Sequence, residues 1–228
     1  MSILGIDIGG TKTALVLGFA DGTILDRHEF TTNSEEGPSA FGEKIVHAAA
    51  ILKNHHPDNP YTQVSISVGG PMDEEKGILL NPPHLKGLHN LDIQAFFKEI
   101  FVQPVYWMHD AKSTAYAEYR FGAGRKKALK KLMHLTFATG FGCGLILNGR
   151  PLDISGEIGH WRVAETGPNL FDKEGSLEGH ASGGGIMAKA KAFDELKDFN
   201  SIASLGEAAR GGNEAALKIF HDAAVEAG

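Results

Sequence analysis

The chain has 228 residues, 42% of them hydrophobic and 22% charged, with 22 Lys+Arg against 28 Asp+Glu for a formal charge of −6. That is globular composition, so long disorder is excluded, and the mild acidity argues against a nucleic-acid surface. The single cysteine, Cys143, excludes an intramolecular disulfide and a thiolate-rich zinc site.

No segment reaches the ~18 uninterrupted apolar residues of a membrane span. The opening MSILGIDIGGTKTALVL lacks a basic leader region and reads as mature structure, so a cytoplasmic protein is the expectation. Glycine stands out at 29 residues, roughly twice the usual share. Such usage points to tight turns and to backbone that approaches a ligand closely.

Residues 3–8 (ILGIDI) read as a central strand, apolar on both faces apart from Asp7. GGTK turns the chain into the strand TALVLGF, and Asp21–Gly22 turns it again into TILDRHEF. A helix is expected over 38–54 and a strand over 63–69. Residues 70–90, rich in Gly, Pro and Asn, read as an irregular loop. A short helix over 91–100 and a strand over 104–108 complete a first unit. The order βββ-α-β-α-β is a mixed α/β pattern.

A helix then runs from HDAKSTAYAEYR to a pair of glycines. The basic run RKKALKK at 125–131 reads as a solvated connection. LMHLTFA, the turn TGFGCG and LILNGRPL repeat the strand–turn–strand of the opening, with 3–18 corresponding to 132–148. The echo makes the chain an internal duplication, with domains expected at 1–110 and 111–228. Beyond 156 loop and helix dominate, ending in a helix over 213–227. His55 and His56 read as surface residues, and Trp107, Phe96 and Phe97 as core.

The two glycine turns carry the first chemical signal. In DIGGTKT, Gly9 and Gly10 leave room for backbone N–H groups to face an anion, and Thr11 and Lys12 add a hydroxyl and a charge. A plain hairpin turn would also use Gly-Gly, but it leaves Asp7 unexplained. A carboxylate in an apolar strand is costly unless it is paired or holds a cation, and Asp7 is placed to hold Mg²⁺ directly or through water. ATGFGCG, with Thr139 and Gly140, is the second such turn. Two turns in duplicated halves suit a polyphosphate chain.

LGIDIGGTKTALVL resembles the first phosphate motif of the ROK family (repressor, open reading frame, kinase). The second turn is similar to the family's second phosphate motif, GPMDEEKGILLNPPHLKG to its sugar-side loop, and GEIGH at 156–160 to its signature. The resemblance implies a duplicated actin-like ATPase fold, related to ribonuclease H, in two α/β domains. It also implies an enzyme that uses ATP and Mg²⁺ to phosphorylate a glucose-like hexose at its 6-hydroxyl. Family members normally continue past this C-terminus with a segment that supplies much of the adenosine pocket, so the second domain reads as truncated.

Asp110 ends a strand and begins a helix, where Asp is a favoured N-cap. The resemblance makes it the general base as well, taking the proton of the attacking sugar hydroxyl. It assigns the sugar to Gly70, Asn81, Glu157, His160 and Glu178. His109 stands where the family has an Asn that binds a sugar hydroxyl, which leaves the identity of the sugar open. A Glu–His pair three residues apart is by itself an ordinary salt link. The cysteine cluster that binds zinc in many members has no counterpart here, so no zinc site is expected. Partners are expected to be a small hexose, with no nucleic acid or membrane; dimers are common in the family. A sugar-responsive repressor is the alternative, but the first strand begins at Ile3 and leaves no helix-turn-helix before it. An inactive sugar-binding member is a third reading.

Overall fold

The computed structural model describes residues 1–127, 129–152, 157–170 and 173–228. The chain divides into two units, Met1–Ala117 and Glu118–Gly228, where the sequence suggested a division after residue 110.

The first unit opens with strands β1 (Ser2–Ile8), β2 (Lys12–Phe19) and β3 (Ile24–Thr31), followed by helix α1 (Gly37–His55) and strand β4 (Tyr61–Val68). Proline in the first turn of α1 costs it nothing, because that N–H has no partner in a helix anyway. The segment expected to be irregular contains a small hairpin, β5 (Met72–Asp73) and β6 (Ile78–Leu79). Helix α2 (Ile93–Ile100) follows, capped by Asp92, whose side chain accepts from Ala95 N at 2.8 Å. Strand β7 (Val105–His109) leads directly into helix α3 (Asp110–Arg120), which crosses the division between the units.

The sheet order is β3-β2-β1-β4-β7, with β1, β4 and β7 parallel and β1, β2 and β3 antiparallel. Side chains alternate along β1 and β4, while Thr13, Ala14 and Leu15 of β2 are all buried. Leu4, Ile6, Ile8, Leu15, Leu17, Val64, Ile66 and Val68 are buried together with Phe41, Ile45 and Leu52 of α1 and Ile93 and Phe97 of α2. Burying each such side chain stabilises by roughly 1.5–3 kcal/mol. The opposite face of β1 carries Ile3 and Gly5, both half-buried, and Asp7, exposed. The expectation of a strand buried on both faces is therefore corrected: β1 is buried on one face only. Asp7 sits on the open one. Phe97 is fully buried as expected, while Phe96 and Trp107 are half-buried against the core. His55 closes α1, and both it and His56 meet the Asp26 carboxylate, at 2.9 and 3.3 Å.

In the second unit, α4 (Ala123–Lys127) occupies part of the basic run that the sequence suggested to be a simple connection. Strands β8 (Lys131–Phe137), β9 (Phe141–Leu147) and β10 (Arg150–Pro151) form a sheet ordered β10-β9-β8. This matches the order of β3-β2-β1, as a duplication requires. After a short pair β11 (Asn169–Leu170) and β12 (Lys173–Glu174) come helices α5 (Leu177–Ala181), α6 (Gly183–Ala190), α7 (Ile202–Arg210) and α8 (Glu214–Ala227). Ser176, Ser182, Ser201 and Asn213 cap α5 to α8 in turn, each accepting a backbone N–H from three residues on. Ile186, Leu196, Leu205 and Ile219 form a second core among the last three helices. Among the described residues, no helix is long and apolar enough to cross a membrane.

Candidate functional site

The parallel strands of the first unit end together at Ile8, Val68 and His109. Carboxyl ends of parallel strands are where α/β sheets place ligands. Asp7 lies opposite Ser67, one residue before that edge, and Asp110 follows it. The Asp7 carboxyl is pushed above its ordinary pKa by partial dehydration and, to a lesser degree, by the Asp110 carboxylate; a hydrogen bond from Ser67 and the charge of Arg27 oppose the rise. Asp7 is thus partly dehydrated although it sits on the open face of the sheet. It is an exposed carboxylate recessed beside a second one. Such a pair gains from a cation.

Asp110 uses its two oxygens differently. Oδ1 accepts from Ala111 N at 2.6 Å and lies 3.2 Å from His109 Nδ1. Oδ2 faces Gly69, where a Cβ would stand 3.4 Å away. Asp110 is the first residue of α3 and bonds the adjacent amide, so it does not act as the expected N-cap, whose side chain would reach two or three residues on; it keeps an open carboxylate oxygen on a side chain that is 48% exposed. His109 is largely buried, and its Nδ1 lies 3.3 Å from the same Ala111 N–H.

The first glycine turn is closed by its own backbone: Gly9 N–H donates to Lys12 O at 3.0 Å. That amide is spent, so Gly9 contributes space and not a donor. Thr32 Oγ1 donates to Gly9 O at 2.7 Å and lies 2.9 Å from Thr13 Oγ1, both threonines being buried. Gly10 is packed against the sugar-side loop, since a Cβ there would stand 2.5 Å from His84 Cβ. Lys12 Nζ is 2.8 Å from Glu29 Oε1, and Arg27 holds the other oxygen at 2.7 Å. In the loop itself Gly70 is half-buried and Asn81 exposed.

The second unit carries the other candidates. Its turn spans only Ala138–Gly140; Gly142 and Gly144, expected in the turn, lie in β9 opposite Thr136 and His134. Thr139 is exposed at the tip. Helix α6 meets the turn with its first amides: Gly183 N–H donates to Ala138 O and Gly184 N–H to Thr139 O, at 2.9 and 3.1 Å. Side chains at Gly183 or Gly184 would crowd those carbonyls, with Cβ atoms 3.0 and 3.1 Å away. Glu157 precedes a 3-10 turn (Ile158–His160) that ends with His160, and both residues are half-buried. Gly156, the first residue of the GEIGH signature, lies outside the described residues. Glu178 is 6% exposed. Its Oε2 accepts from Phe141 N at 2.7 Å and packs against Gly140 and Gly159. One of its oxygens therefore ties the turn to the signature segment and is not free for a sugar. His180 is turned to Thr166 O, 3.1 Å from its Nε2.

An apolar cavity of about 480 Å³ lies in this unit between the end of β8 and α6 and α8, lined by Phe137, Gly183, Ile186, Phe220 and Ala223. Among the described residues, no three His, Cys, Asp or Glu side chains gather closely enough to hold a metal ion. Asp7 is instead the kind of ligand that holds Mg²⁺ together with water and substrate phosphates. Ser67, His84, Lys112 and the Ser182–Gly185 segment were not singled out from the sequence, although the run of three glycines was a visible signal.

The ROK family profile matches residues 3–228. An N-acetylmannosamine kinase of Escherichia fergusonii is 32% identical over 229 residues, covering 98% of this chain and 75% of that protein. A ROK family glucokinase from Streptomyces griseus, solved with glucose and AMPPNP, superposes with a TM-score of 0.82 at 26% identity, covering 99% of this chain and 76% of that one. A ROK hexokinase from Thermus thermophilus gives 0.79 at 26% identity, over 99% and 74% of the two chains.

Proposed function

The chain belongs to the ROK family, with the actin-like ATPase fold of its sugar kinases, and from that premise we propose that it transfers the γ-phosphoryl group of ATP to a hydroxyl of a hexose. The observation that carries the reading is the pair Asp7 and Asp110 at the carboxyl edge of the parallel strands, beside a glycine turn.

Asp110 is the proposed base. Its Oδ1 is occupied by Ala111 N–H, so Oδ2 takes the proton of the attacking hydroxyl. Gly69 keeps the approach to Oδ2 clear. The amides of Gly10 and Thr11, with the Lys12 ammonium, meet phosphate oxygens. Lys12 must exchange part of its bond to Glu29 for that contact, which is inexpensive for so exposed a pair. Mg²⁺, when bound, neutralises charge on the β- and γ-phosphates, and Asp7 would hold it, directly or through water. In the second unit Thr139 and Gly140 are assigned to phosphate, and Glu157, His160 and the remaining oxygen of Glu178 to sugar hydroxyls. In the first unit Gly70, Asn81 and His109 are assigned to the sugar.

The proposed substrate is a glucose-like hexose phosphorylated at its 6-hydroxyl, with N-acetylmannosamine as the other candidate, because a relative of that activity is 32% identical. A cytoplasmic location follows from this metabolic reading. Coupled ADP release over a panel of hexoses and N-acetylhexosamines is the test. Turnover with glucose or mannose above the N-acetyl sugars supports the first substrate, and the reverse order selects the second. No ADP release with any sugar overturns the kinase reading.

A further inference from the structure

Lys112 is 5% exposed and lies two residues after Asp110 on α3. Its Nζ is 2.7 Å from Glu74 Oε1, at the tip of the β5–β6 hairpin. Glu74 is held a second time, since Trp107 Nε1–H donates to its backbone carbonyl at 2.9 Å. The indole also takes up the space beside Gly77, where a Cβ would stand 2.7 Å from the ring. Gly77 has φ +71, so that position accepts little else. Its N–H donates to Asp73 O and its carbonyl accepts from Ile93 N, both at 2.8 Å. The hairpin tip is therefore fastened to β7 and α3, the two elements that meet at His109 and Asp110.

An ammonium buried to this degree is an expensive anchor, and an apolar side chain would fill the same volume at lower cost. What the ion pair adds is direction: it fixes where Glu74 sits relative to the first turn of α3. We infer that Lys112 is a positioning residue for the sugar. It holds the 70–90 loop, which carries Gly70 and Asn81, in register with the Asp110 carboxylate. The kinetic part of this inference rests on the sugar-kinase reading; the docking of the hairpin does not. Misplacement of a held substrate by ~1 Å can cost up to ~10²-fold in rate, so even a small slackening of the hairpin has a kinetic readout.

The test uses Lys112→Met, Glu74→Gln and the double variant. Each single change should raise KM for the sugar about tenfold and lower kcat several-fold, while KM for ATP stays within twofold. The double variant should lose less than the sum of the two singles, because both remove the ion pair they share. A second readout needs no activity. The chain has two tryptophans, and in a Trp161→Phe background Trp107 emission reports the indole bound to Glu74. Either variant should shift that emission to the red and increase its quenching by acrylamide. If Lys112→Met does not fold, Glu74→Gln carries both readouts. Unchanged Trp107 emission, or additive effects in the double variant, overturns the inference. A wild-type chain that phosphorylates no sugar defeats the kinase reading alone, and the fluorescence then decides the docking.

Discussion

The two glycine turns are built on the same plan, each closed by its own backbone, and they differ in what packs on them. The first is closed by Gly9 N–H bonding Lys12 O and braced by Thr32, which bonds Gly9 O; the strands on either side belong to a five-stranded sheet over a continuous core. The second is likewise closed by its own backbone, Ala138 N–H bonding Gly140 O at 3.0 Å; it belongs to a three-stranded sheet and is braced by the first amides of α6 and by the Glu178 carboxylate. The first turn has the proposed base and metal ligand beside it, Asp110 and Asp7. The second has tethers beside it. Both turns lean on residues distant in sequence, the first on Thr32, 23 positions from Gly9, and the second on Glu178, 37 positions from Phe141; only at the second is the bracing side chain also a proposed ligand contact. Changes beside the first turn should alter rate without loss of fold, and changes beside the second should alter the fold first.

The largest effect is expected at Asp110. Asp110→Asn keeps an oxygen to accept from Ala111 N–H, so the start of α3 should survive. It removes the proposed proton acceptor, and kcat should fall by at least ~10²-fold, with the melting temperature nearly unchanged. Steady-state kinetics and a thermal melt on the same sample test both halves. A kcat near wild type would remove Asp110 from the mechanism, and a collapsed melt would assign it to the fold instead.

Glu178 tests the other half of the comparison. Glu178→Ala leaves Phe141 N–H, on a residue 4% exposed, without its acceptor. An orphaned buried donor costs about 1–3 kcal/mol. Urea unfolding should show that loss, and hydrogen exchange should rise at Gly140 and Phe141 and stay unchanged at Gly9 and Gly10. Equal exchange at both turns would show that the two are supported alike, against the comparison.

The contrast also sorts what the sequence could disclose. Strands β1 to β4, helices α1 and α8 and the position of Asp110 follow from local period and punctuation, and those are local properties of the chain. The repeat of strand order in β10-β9-β8 was visible as an echo of strand–turn–strand. The misreadings arose where distant contacts decide. ILGIDI looks apolar on two faces, but which face is covered depends on where α1 and α2 pack. The Gly142–Gly144 pair looks like turn chemistry, but Phe137 and Phe141 close the hairpin earlier and put both glycines in a strand. Lys112 in DAKSTAYAEY looks like an ordinary helix surface; only the fold of the 72–79 hairpin shows it to be buried. Glu178 was found by resemblance, and its bond to Phe141 N, 37 positions away, has no local signature.

The smallest effect is expected at Asp7, and its sign is the informative part. Dehydration and the neighbouring Asp110 raise the pKa of Asp7 above that of the unfolded chain. The folded state therefore binds this proton more tightly than the unfolded one. Stability contributed by the protonated form is present at low pH and is lost as pH rises through the raised folded value. At neutral pH the ionised Asp7 is thus a net burden on the fold. Asp7→Asn retains an oxygen for Ser67 and removes the charge beside Asp110, so its melting temperature at pH 7 should lie slightly above wild type. The two curves should converge below the ordinary aspartate value of about 3.9, where wild-type Asp7 is protonated too. If Asp7 serves Mg²⁺ and phosphate, the same variant should lose activity while gaining stability. Melts from pH 3 to 8, paired with ADP release at saturating Mg²⁺, separate the outcomes. A variant less stable than wild type at pH 7 would mean that the Asp7 carboxylate is satisfied within the fold, and its exposure on the open sheet face would then need a structural explanation in place of a chemical one.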